Sequence, residues 1–148
     1  MATEEKEKEI TLTGNQVAGM LEREKSQLNS LNQQLGQMQQ ITGELKASAE
    51  ALKEIGKQKN LKVLVPLGSG VMVEAQLENT ETVKLSLPGN IIANRKREDA
   101  IKHLEKQAEE AGKQFEGLQK QFQQTATNVN NLSQLIQAAQ KKAQEQKL

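Results

Sequence analysis

Side chains able to carry covalent or metal chemistry are few in this chain and stand apart from one another. There is one histidine, His103, and no cysteine, tryptophan or tyrosine. Disulfides and thiolate metal sites are therefore excluded, which suits a reducing compartment, and the cytoplasm is the expected location. His103 falls beside Leu104 on a helical repeat, where a solvated surface is its setting. Gly68-Ser69-Gly70 lacks the Lys-Ser/Thr that follows in a phosphate-binding loop and lies between two strand-like runs instead of before a helix, so it reads as a turn. "NRKRED" at 94–99 is basic, but Glu98 and Asp99 balance it next to a helix start, so it reads as a solvated joint that steers acidic partners, not as a nucleic-acid patch. The sequence thus predicts no enzyme, with no catalytic, cofactor-binding or metal-binding residues and no cofactor.

The elements that hold these residues point to a different kind of work. Only 35% of the 148 residues are hydrophobic, 26% are charged, and Phe115 and Phe122 are the sole aromatics. So sparse an apolar set supplies a narrow helix seam more readily than the interior of a globular enzyme. Disorder is disfavoured because the apolar residues keep a strict period. A formal charge of +1 gives no global field to attract nucleic acid or an acidic membrane. The opening "MATEEKEKEI" has neither a secretory core nor a transit-peptide composition, and no run approaches the roughly 18 apolar residues of a membrane span.

From Val17 the seam Val17, Leu21, Glu24, Leu28, Leu31, Leu35, Met38, Thr42, Leu45, Ala49, Leu52 steps by four and three residues, a heptad pattern with one charged lapse at Glu24. Met20, Ile41 and Ile55 widen the stripe. Thr13 with Gln16 resembles a capping box at the start, and Gly56 before "KQKN" supplies a stop. A second seam runs through Ile101, Leu104, Ala108, Ala111, Phe115, Leu118, Phe122, Thr125, Val129, Leu132, Ile136, Ala139 and Ala143. Two helices, over 15–56 and 97–143, are predicted at matched lengths of about 60 and about 70 Å. They pair antiparallel, with partners whose numbers sum to roughly 155. Glycines 19, 36, 43, 112 and 117 avoid both seams, which weakens the exposed face and lets the coil fray.

Between the helices the period changes to two. Leu61, Val63, Val65 and Leu67 share one strand face, as do Val71, Val73, Ala75 and Leu77, and then Val83, Leu85 and Leu87. "GSG" at 68–70, "ENTE" at 78–81 and "PGN" at 88–90 are turn chemistry, and Ile91–Asn94 adds a fourth strand. The block 61–95 is therefore two hairpins. Pro66 marks an edge or strand end, and Leu64 and Met72 leave the opposite face apolar as well.

Hairpins this small need a covering layer, and the helices are occupied with each other. Hairpins from several subunits are expected to pair into a common barrel, with Val63, Val65, Val71, Val73, Leu77, Val83, Leu85 and Leu87 forming the oligomerisation surface. The fold class is α+β: a long antiparallel coiled-coil hairpin with two central β-hairpins that build an inter-subunit β-barrel, all within a single domain spanning 1–148.

A coiled-coil hairpin whose arms are joined by β-hairpins resembles a prefoldin subunit. The likeness is carried by "VLVPLGSGVMVEAQL" at 63–77, by "TVKLSLPGN", and by "REDAIKHLEKQ" at the joint into the second helix. Two hairpins instead of one resemble the alpha class. The resemblance implies a hetero-hexamer of two alpha-class and four beta-class subunits. It implies an ATP-independent holdase that captures unfolded polypeptides between coiled-coil tips and transfers them to a group II chaperonin. Neither nucleic acid nor membrane is implied as a partner. At the tips, Val17, Met20, Leu21, Leu132, Leu135 and Ile136 give more apolar side chains than a two-helix seam can bury, and Met20 and Leu135 lie outside the seam. Flexible Met and Leu side chains suit scattered hydrophobic client segments, and six weak tips on one body raise retention by avidity. The alternative reading is a non-chaperone scaffold or tether, oligomerised through the hairpins and selective for particular folded partners.

Overall fold

The computed structural model describes residues 2–146, with side chains from residue 14 onward. Helix α1 spans Ala2–Ile55; strands β1 (Lys62–Gly68), β2 (Val71–Gln76), β3 (Thr82–Leu87) and β4 (Ile91–Lys96) follow; helix α2 spans Arg97–Gln146. The chain divides into two units. Met1–Met38 and Gln114–Leu148 form one, and Gln39–Lys113 forms the other.

In the first unit the expected seam is the covered stripe of α1: Val17, Leu21, Glu24, Leu28, Leu35 and Met38 are partly buried and Leu31 is buried. On α2, Phe115, Leu118, Phe122, Val129, Leu132 and Ile136 are partly buried and Thr125 is buried. The remaining side chains of these segments are almost all exposed, as heptad packing requires. Ala139 and Ala143 depart from the expectation, since both are exposed. The antiparallel register expected from the sequence would oppose Ala139 to Gln16, which is polar and exposed, and a single methyl group adds little apolar area to cover there.

Helix α1 does not begin at Thr13. It continues back to Ala2, because "EEKEKE" at 4–9 consists of strong helix formers and sets Glu4 four residues before Lys8. Its other end falls at Ile55, at the expected stop before Gly56. Gly56 is not in the left-handed region; its N–H donates to the Leu52 carbonyl at 3.3 Å, Lys57 N–H donates to Glu54 at 3.1 Å, and the left-handed residue is Asn60 (φ 57°).

In the second unit, small side chains bring the helices together. Ala49, Ala100, Ala108 and Ala111 are buried, while Leu45, Leu52 and Leu104 are partly covered. A ladder of antiparallel pairs joins β1 to β2, from Lys62↔Gln76 to Pro66↔Met72, with a bulge at Leu67 before Gly68↔Val71. Strands β3 and β4 pair from Thr82↔Lys96 to Leu87↔Ile91. Each hairpin is a separate two-stranded sheet. The turns use the residues their backbone demands: Gly68, Ser69 and Gly70 all have positive φ, as do Gly89 and Asn90. Between the hairpins, Glu81 N–H donates to Asn79 Oδ1 at 3.0 Å, an Asx turn inside the expected "ENTE" segment.

Helix α2 starts directly from β4. The Arg97 N–H, which has no partner within its own helix, donates to the Glu81 carbonyl at 2.7 Å. Glu98 and Asp99 occupy the first turn, where negative charge complements the helix dipole.

Candidate interaction surfaces

Pairing fixes which side chains share a face of each hairpin. In β1–β2, the Val63↔Ala75 and Val65↔Val73 pairs lie on one face; Leu64↔Glu74 and Pro66↔Met72 lie on the other. Val63, Ala75 and Leu77 are partly covered, whereas Val65, Val71 and Val73 are exposed. The opposite face is as bare: Leu64 is 66% and Met72 57% accessible, and the bulged Leu67 also projects to solvent. Near its turn this hairpin is therefore apolar on both faces. Only its base is polar, where Lys62 Nζ lies 3.8 Å from Glu74 Oε1.

The second hairpin is built differently. Val83, Leu85 and Leu87 share a face with Ala93, and all four are partly buried within the single chain. The reverse face carries Thr82, Lys84, Ser86, Asn94 and Lys96, with Ile92 beside the turn, all exposed. Ile91 and Ile92 are uncovered beside the turn. The expected oligomerisation residues thus separate into a partly covered set, Val63, Leu77, Val83, Leu85 and Leu87, and an open set, Val65, Val71 and Val73.

In the first unit, Val17 and Leu21 on α1 and Leu132 and Ile136 on α2 are partly buried seam residues. Met20 and Leu135 are not: they are 52% and 59% accessible. The heptad position outside the seam, readable from sequence, is what leaves these two long apolar side chains in water. Ile41, also outside the seam but in the second unit, is exposed as well.

Between α1 and α2 in the second unit runs a shallow groove of about 510 Å³, lined by Thr42, Lys46, Ala49, Glu50, Glu105, Ala108, Glu109 and Gly112. Alanine and glycine make it, since they leave volume where a larger residue would fill the flank of the coil. Its rim carries an interhelix ion pair. Lys53 Nζ sits 2.7 Å from Glu105 Oε1 and 3.3 Å from Glu50 Oε1. The hydrogen bond that Lys53 donates to Glu105, and then the one it donates to Glu50, raises the Lys53 pKa above its ordinary value; Glu54 does the same to Lys57.

Nothing in this geometry gathers reactive groups. His103 is exposed on α2, and among the described residues no group of three or more His, Cys, Asp or Glu side chains could hold a metal ion. Gly68-Ser69-Gly70 is a strand-to-strand turn. Of the "NRKRED" cluster, Arg97 departs from the solvated reading, because it is partly buried against Gly56. No described helix is long and apolar enough to cross a membrane.

The family model for "Prefoldin subunit" matches residues 25–142, which takes in both hairpins, most of α2 and α1 from residue 25 onward. The chain belongs to the prefoldin family. Prefoldins are chaperone-type proteins of a non-enzymatic family. Similar proteins carry the alpha-subunit name. "Prefoldin subunit alpha" of Methanospirillum hungatei is 26% identical over 113 residues, 76% of each chain. "Prefoldin subunit alpha" of Methanococcus maripaludis is 28% identical over 99 residues, 67% of each. "Prefoldin subunit alpha 2" of Methanocaldococcus jannaschii is 32% identical over 83 residues, 54% of this chain and 55% of that one. These relatives and the two hairpins make this an alpha-class prefoldin. A solved chain from the cryo-EM structure of filamentous PFD from Methanocaldococcus jannaschii has the same fold, with a TM-score of 0.65 at 24% identity, covering 76% of this chain and 93% of that chain.

Proposed function

We propose that this prefoldin is a holdase subunit that joins a hetero-hexamer of two alpha-class and four beta-class subunits in the cytoplasm. Its β-hairpins pair with those of neighbouring subunits into a barrel. Its paired helices capture unfolded polypeptides without ATP and transfer them to a group II chaperonin. The observation that carries this reading is the separation of uncovered apolar side chains into two kinds. Val65, Val71, Val73, Leu64 and Met72 sit on β-strands, where backbone pairing gives a defined, lasting joint. Met20 and Leu135 sit singly on helices, where a flexible apolar side chain beside a seam offers a weak, unselective contact. Lasting assembly through the strands and transient capture by the helices follow from those two settings, and several weak contacts on one body retain a client while leaving release possible.

Light scattering from a chemically denatured client, diluted into the assembled complex, tests the function. Suppression of aggregation at stoichiometric amounts supports it; undiminished scattering rejects it. Adding a group II chaperonin then tests transfer, read as client refolding that depends on both components. Capture of one native protein to the exclusion of unfolded clients would favour the scaffold reading instead.

A further inference from the structure

Two connections of the chain converge on one residue. Gln58, Lys59 and Asn60 from the α1–β1 linker and Glu78 to Glu81 from the β2–β3 linker line a polar cavity of about 310 Å³, and Arg97 stands in its wall. Arg97 is the first residue of α2 and is fixed through its N–H to Glu81. Its side chain reaches back to Gly56, immediately beyond the last residue of α1. There the guanidinium fills the space that a Cβ on Gly56 would need. The Arg97 Nε is buried and makes no hydrogen bond, an arrangement that costs stability and calls for a compensating role.

Electrostatics shows which way the compensation runs. A cation at the start of its own helix faces the positive end of that helix's dipole, a disadvantage that Glu98 and Asp99 offset. Carried across to Gly56, the same cation faces the carbonyl end of α1, where positive charge is favoured. Arg97 is thus unfavourably placed where it is attached and favourably placed where it reaches. Glycine at 56 answers to this reach and not to a left-handed turn, because its φ is not positive.

We propose that Arg97 is a positioning residue. It pins the foot of α1 to the foot of α2 and fixes the direction in which both leave the hairpins. Gly56 is the other half of the pin, since a side chain there displaces the guanidinium. Helix feet and hairpins then move as one body. The pin is a property of this unit's geometry and is tested separately from client capture.

The absence of native cysteine allows clean labelling. Spin labels at Ser48→Cys on α1 and Ser86→Cys on β3, both exposed positions, report the helix-to-hairpin distance in the full chain. Labelled chain is diluted with unlabelled chain in the assembled complex to suppress distances between copies. The parent should give one narrow distance. Gly56→Ala and Arg97→Gln should each broaden it by about twofold or more at unchanged helix content, and the double variant should be no broader than the wider single, because both remove one contact. Arg97→Lys, a milder change that keeps charge but loses the planar group, should broaden it too. An unchanged width in Arg97→Gln or Arg97→Lys, or broadening that adds in the double variant, overturns the proposal. So does equal broadening by Leu31→Ala, which weakens the coil elsewhere.

Discussion

Lys53 on α1 and Glu105 on α2 meet at 2.7 Å across the helix pair, and Glu50 draws the same ammonium from one turn away. Ala49 and Ala108, one turn from Lys53 and Glu105 on their helices, are buried, so in this unit small covered side chains are accompanied by an ion pair at the surface.

The ion pair has a definite pH signature. Because Glu105 and then Glu50 raise the Lys53 pKa above its ordinary 10.5, the stabilisation is fully present below that value and fades as pH rises through the higher folded-state value. Lys53→Gln should therefore lower the melting temperature slightly at pH 8, and the difference from the parent should shrink above pH 10.5. Since the pair is solvent-accessible, salt should shrink it too. Melting curves of the two proteins at the two pH values decide it.

Val73→Asp places a charge on the open face of the first hairpin, beside Val65. Burying it in a shared barrel without a partner would weaken association by at least about tenfold, a minimal penalty for an unpaired buried charge. Sedimentation should show monomers whose helical circular dichroism is largely retained. Lys84→Glu, on the exposed polar face of the second hairpin, should leave the assembled mass as it was. An undispersed Val73→Asp complex would refute the barrel.

Removing residues 1–21 and 133–148 should leave assembly intact and abolish client capture. The narrower change Met20→Ser with Leu135→Ser should reduce suppression of aggregation at unaltered mass, because more than half of each residue's surface already lies in water. Full capture by the truncated complex would move the binding surface elsewhere on the chain.

Leu31 is the most buried described side chain of its α1 segment, 5% accessible. Leu31→Ala should cost about 2–5 kcal/mol of coil stability, the range for a large-to-small change at a covered position. Urea titration followed by circular dichroism should show the lower midpoint. A loss below half a kcal/mol would mean that the coil closes over the gap.

How far the sequence revealed this fold depended on the range of the forces involved. Heptad spacing named the covered residues from Val17 to Leu52 because burial along a two-helix seam follows period alone. Strand alternation and the GSG and PGN turns were equally local, so both hairpins could be read. The start of α1 was misplaced at Thr13, because a cap motif competes with the propensity of the residues before it, and here propensity prevailed. Ala139 and Ala143 kept the period without enough apolar area to be covered. Gly56 and Arg97 were legible singly, as a stop and as part of a basic joint. Their contact spans two helix ends distant in sequence, and no local signal reports it. The uncovered Met20 and Leu135 were readable from heptad position.

Each of the strands has a neighbour on one side only. The other side presents free amides and carbonyls along an extended backbone, a template on which a further ribbon can be laid. The bulge at Leu67 interrupts that template on β1; the continuous registers of β3 and β4 carry no such guard. A copy left orphaned by unequal synthesis of its companions would therefore stack with others like itself, and matched supply becomes a condition of solubility.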